Sequence, residues 1–117
     1  MDKIIFKNDN FALVEEHGIG IEDTPFTKLE VESKGKARKH VVEISLFSDN
    51  PDFEGKPVQY RYVPEKTYVN HGMRMKVDTL EETLEYVAVL KDAVEFAKRV
   101  NTWLFAHPEW KLSSRSR

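Results

Sequence analysis

The chain has no cysteine among its 117 residues. That excludes disulfides, thiolate chemistry and zinc sites built on Cys ligands. No apolar run reaches the roughly 18 residues of a membrane span. The opening MDKIIFKNDN is too poor in apolar residues to read as a secretory leader, so the cytoplasm is the expected compartment. The phosphate-loop, nucleophile-elbow and HExxH patterns are also missing. GIG at Gly18–Gly20 lacks the other glycines of a dinucleotide loop and precedes a strand, so it reads as a bend. His17, His40, His71 and His107 lie far apart, without ligand spacing, and read as turn or strand-end residues. Glu15, Glu16, Glu22 and Asp23 read as a solvated acidic edge rather than a metal or acid–base cluster. The expectation is a non-enzyme with no metal, no cofactor and no catalytic residue.

What is present describes one globular domain over residues 1–110, followed by a basic, Ser-rich tail at 111–117. The tail reads as disordered, either an arm that grazes nucleic acid or a sequence added for expression. Hydrophobic residues make up 40% and charged residues 32%, enough apolar material for a core. The net charge is -2, unevenly spread. Residues 1–23 hold two basic and six acidic side chains, 24–77 ten and seven, and 78–117 six and seven. Only the middle third is positive, so any anion-binding face belongs there.

Residues 1–78 carry a period of two. Lys3–Phe6, Phe11–Glu16, Thr27–Ser33, His40–Ser48, Val58–Val63 and Met73–Val77 read as strands. Leu29 and Val31 share one face of their strand, and Val42, Ile44 and Leu46 share one face of the next. Gly35 between these two strands predicts a hairpin turn. From Asp78 the period becomes helical. Thr79 and Glu82 form a capping box, and no Gly or Pro interrupts residues 79–107. Leu80, Leu84, Val87, Leu90, Val94 and Ala97 make one apolar stripe; Tyr86, Val89, Ala93, Phe96, Val100 and Trp103 make a second. The expected fold class is α+β: a curved antiparallel sheet of five to six strands followed by one long C-terminal helix.

Some 27 helical residues span roughly 40 Å, twice a strand of ordinary length. A sheet beside the first half of the helix leaves the distal half uncovered. Either the helix breaks near Asn101, or Phe96, Val100, Trp103 and Leu104 form a homodimer interface; the second is the expectation.

The positive third holds the candidate binding residues. Lys34, Lys36, Arg38 and Lys39 crowd the expected hairpin, and Tyr60, Tyr62 and Tyr68 interleave with Arg61, Lys66, Arg74 and Lys76. Cations that track phosphates and rings that stack bases suit single-stranded nucleic acid. The same residues are also ordinary on half-buried strands.

A meander, a basic hairpin and a strand running into one C-terminal helix resemble the positive cofactor four family of single-stranded-DNA-binding coactivators. The likeness lies in FALVEEHGIGI, FTKLEV and HGMRMKVDTLEETLEYVAVL, over about residues 10–95. It implies a dimer paired through its helices, with Phe26, Lys28, Arg38, Lys39, Arg74 and Lys76 lining a surface for single strands. Two functions are therefore carried forward. The first is a homodimeric single-stranded nucleic-acid-binding protein. The second is a small protein-binding adaptor or inhibitor, of the kind phages use against host or defence machinery.

Overall fold

The computed structural model describes residues 3–19, 23, 25–47, 60–61, 66–71 and 79–107. Its strands are β1 (Lys3–Lys7), β2 (Phe11–Ile19), β3 (Pro25–Ser33), β4 (Val42–Phe47), β5 (Tyr60–Arg61) and β6 (Lys66–His71). A short helix α1 (Gly35–Lys39) joins β3 to β4, and α2 (Leu80–Ala106) follows the strands. The architecture is α+β, with largely antiparallel strands and one long C-terminal helix. No described helix is long and apolar enough to cross a membrane.

The strands fall into two sheets rather than one. The first has the order β1-β2-β3-β5; the second pairs β4 with β6. The β3–β5 pairing is parallel, through Phe26 with Tyr60 and Thr27 with Arg61. β3 and β4 therefore do not form the expected hairpin. Gly35 takes the turn-like left-handed conformation (φ 55°), but a helical turn follows it instead of a second strand. Lys66–His71 pairs with β4, a strand the alternation had not marked. The expected strand at Met73–Val77 and the tail at 111–117 lie outside the described residues.

Register explains the faces. β2 and β3 align Leu13 with Val31, Glu15 with Leu29 and His17 with Thr27, so these side chains share the face toward α2. Phe11, Leu13 and Leu29 from that face join Val42 and Ile44 of β4 and Ala37 of α1 in one core. The helix contributes Val89, Ala93, Phe96, Ala97, Val100 and Leu104. Phe96 sits at its centre, its ring 5.3 Å from Phe6 and 5.6 Å from Phe11.

This corrects the expected interface. Phe96, Val100 and Leu104 are core residues of the protomer, and Trp103 is half-buried beside them and stacked on His107 at 3.9 Å. The helix does not break at Asn101, which accepts a hydrogen bond from Thr67 Oγ1 of β6. The described strands lie along the distal part of α2 and not beside its start: Phe6 and Phe11 of the first sheet meet Phe96, and Thr67 of the second meets Asn101.

Three polar links fix α2 elsewhere. Thr79 Oγ1 accepts from the Glu82 amide at 3.1 Å, as the capping box predicts. Asp92 accepts from the side-chain amides of Asn8 and Asn10 in the β1–β2 turn, at 3.0–3.2 Å. Arg99 lies over the Phe6 ring, 4.2 Å from its centroid.

Candidate functional site

α1 divides the basic cluster between two sides. Lys36 and Lys39, three residues apart on one face, turn to α2 and pair with Glu85 at 3.2 and 2.9 Å. His40, the C-cap of α1 and only 3% exposed, lies 2.6 Å from the same carboxylate. Glu85 thereby ties α1 to α2. The hydrogen bonds from His40, then Lys39 and Lys36, hold its carboxyl down at about 2, against an ordinary 4.5, and Glu85 in turn raises the Lys39 ammonium.

A depressed carboxyl contributes stability above its unfolded value and loses it as pH falls through the folded one. This link is therefore fully present above about pH 4.5 and lost on going down to about 2. Glu85→Gln is expected to weaken the fold at neutral pH and to remove this part of the acid dependence. Urea unfolding at pH 6 and at about pH 3 checks it: the gap between wild type and variant narrows at the lower pH.

Lys34 and Arg38, four residues apart, turn the other way. They line a cleft of about 950 Å³ between β3 and β4, together with Lys28, Glu30, Glu32 and Glu43. No ion pair joins Lys34 or Arg38 to a carboxylate among the described residues. Lys28 pairs with Glu16 at 3.4 Å, on the sheet face away from the core. Three cations and three carboxylates thus line the cleft, which is not a strongly positive groove. Tyr68 stands 46% exposed on the outer face of the β4–β6 ribbon. Tyr60 and Arg61 lie in β5 by their backbone, whereas Tyr62, Arg74 and Lys76 lie outside the described residues.

The acidic edge separates in the same way. Glu15 and Glu16 point to opposite faces of β2; Glu15 bonds His17 at 2.8 Å and Glu16 pairs with Lys28. His17 is also 3.2 Å from Thr27 Oγ1. Carboxylate, imidazole and hydroxyl stand in the order of a nucleophilic triad. Thr27, however, is 2% exposed, so its hydroxyl is out of a substrate's reach and the row acts as a cross-strand link.

Among the described residues, a row of exposed apolar side chains lies on α2 outside the core cluster. Leu80 is 73% exposed, Leu84 60%, Val87 52% and Val94 44%. At about 100° per residue these four positions cluster within a narrow arc, roughly opposite the Val89–Phe96–Val100 face. The helix is apolar on both sides, and among the described residues only one side joins the core shared with the strands. Sequence periodicity found this stripe, but the length argument divided the helix into a covered first half and an uncovered distal half, not into a covered and an exposed stripe. Glu85 and Asp92 gave no local signal, since their partners are more than 40 and 80 residues away. Compared with protein-family models, with curated proteins and with solved structures, the chain matches none.

Proposed function

We propose that the chain is a non-enzymatic protein-docking module, a small adaptor or inhibitor, working through the solvent face of α2. The observation that carries this reading is the exposed row Leu80, Leu84, Val87 and Val94 on a helix whose opposite face already fills the core. Exposed apolar residues arranged contiguously on a soluble surface mark contact sites, and an amphipathic helix is the partner shape that a single apolar helical stripe accepts. The cysteine-free composition suits the cytoplasm. The test is fluorescence anisotropy with a labelled amphipathic Leu/Lys helical peptide. Leu84→Glu, which removes one large apolar side chain and adds a charge, is expected to weaken binding about tenfold or more. Equal affinity for wild type and variant contradicts the reading.

A second reading, single-stranded nucleic acid, is favoured by one observation: Lys34 and Arg38 share a side of α1 that carries no ion pair among the described residues. Its residues would be Lys34, Arg38 and Tyr68. The carboxylates in the same cleft, and the capture of Lys36 and Lys39 by Glu85, weigh against it. Under the docking reading, labelled oligo-dT at about 50 mM salt, where phosphate contacts are strong, shows no saturable binding. Binding that weakens with salt, with a slope flattened by about 0.7 in Arg38→Ala, reverses the order of the two readings.

A further inference from the structure

We propose that the cleft between β3 and β4 takes a partner of its own: an extended peptide with a free carboxyl end and alternating apolar and cationic residues, added as a strand along β3. This surface is separate from the α2 stripe and does not depend on it.

The backbone is the first support. β3 pairs with β2 along its whole length, but its other edge pairs only at Phe26 and Thr27, with β5. Over Lys28–Ser33 that edge carries no ladder among the described residues. β4 pairs with β6, and its edge toward β3 carries no ladder among them either. Ser33 Oγ donates to the Val42 carbonyl at 2.7 Å and closes the cleft at one end. The rest is a space of about 950 Å³. About six residues of unpaired edge, roughly 20 Å, form a template for strand addition.

Direction is the second. β5 runs parallel to β3, so a strand added in the same line also runs toward Ser33. Its carboxyl end then arrives beside Lys34 and Arg38, which hold no ion pair with a carboxylate among the described residues. A terminal carboxylate gains two charge-assisted partners there.

Alternation sets the composition. Leu29 and Val31 face the core from β3, and Ile44 and Leu46 from β4, whereas Glu32 and Glu43 stand on the outer side. One set of alternate residues in the added strand meets aliphatic side chains, which selects Val or Ile. The other set meets carboxylates, which selects Lys or Arg. The mixed charge that weighs against a polyanion thus fits this peptide, with cations at the closed end and carboxylates along the walls.

The probe is a hexapeptide of alternating Val and Arg, labelled at its amino end and free at its carboxyl end. Fluorescence anisotropy with the full chain is expected to show saturable binding below about 1 mM. Amidating the carboxyl end should weaken it about fivefold, and Arg38→Ala should weaken the free peptide equally while abolishing its preference over the amidated one. Glu43→Ala should cost about threefold. Arg38 and Glu43 are exposed, and unchanged circular dichroism checks folding; Lys34→Ala replaces Arg38→Ala if that variant misfolds. Hydrogen exchange read by NMR should slow at alternate amides of Lys28–Ser33 when the peptide binds. No saturable binding, or binding without that protection, overturns strand addition. Protection with equal affinity for the free and amidated peptides overturns the direction. Displacement of the peptide by oligo-dT at comparable concentration assigns the cleft to nucleic acid and overturns the proposal. The helical peptide that tests α2 should not compete, and competition would overturn the separation of the two surfaces.

Discussion

Phe96→Ala is expected to cost about 3–5 kcal/mol of folding stability, while Leu84→Ala stays within about 0.5 kcal/mol of wild type. Phe96 is buried among Phe6, Phe11 and the neighbouring core side chains, so truncation leaves a cavity that rigid strands on one side and a helix on the other cannot close. Leu84 is 60% exposed, and alanine is the better helix former. A domain of this size has about 5–15 kcal/mol in all, so the Phe96 variant stands near the edge of folding. Urea unfolding of the two variants gives both values. The opposite ranking would mean that α2 docks by its other face.

Gly35→Ala is expected to cost about 2–3 kcal/mol, a large effect for one methyl group at an exposed position. Gly35 has φ 55°, a conformation that L side chains rarely adopt, and an added Cβ would sit 2.8 Å from the Asp9 carbonyl oxygen. That oxygen cannot readily retreat. Asp9 lies between Asn8 and Asn10, whose side-chain amides both donate to Asp92. Relief would instead tilt α1 away from α2, lengthening the contacts of Lys36, Lys39 and His40 with Glu85. Gly35→Ala and Glu85→Gln should therefore be less than additive in a double-mutant cycle. Full additivity would show that the strain at Gly35 is not relieved through Glu85.

The parts of this fold that were legible in the sequence are those written by neighbours. Thr79 and Glu82 announced the start of α2, and the apolar spacing from Leu80 to Leu104 announced its length. Alternation at Leu29 and Val31, and at Val42, Ile44 and Leu46, gave two strands and their inward faces. Pairing was not legible, because it depends on residues far apart. Gly35 between two strands fits a hairpin and an αL start to a helical turn equally well, and five residues are too few for a helical period to appear. Strand β6 holds only Val69 as an aliphatic residue; its signal was the β-preference of Thr67, Tyr68 and Val69 rather than alternation.

The candidate site was harder for a related reason. Two apolar stripes on one helix do not say which is covered, and the length argument that put Phe96, Val100 and Leu104 outside assumed that the sheet lies beside the first half of the helix. Four cations in six residues correctly marked an exposed basic corner. They did not show that Glu85, some 46 residues further on, would take two of them. Local composition counts charge, whereas a binding surface depends on the charge left after tertiary ion pairing.

α2 buries the face centred on Phe96 and Val100 and presents Leu80 and Leu84 outward, where docking is proposed. Hydroxyl-radical footprinting of dilute protein, read by mass spectrometry, checks this orientation. Rapid labelling of Leu80 and Leu84 and protection of Phe96 and Leu104 are expected. Protection of Leu80 and Leu84 in the monomer, with labelling at Phe96, would contradict it.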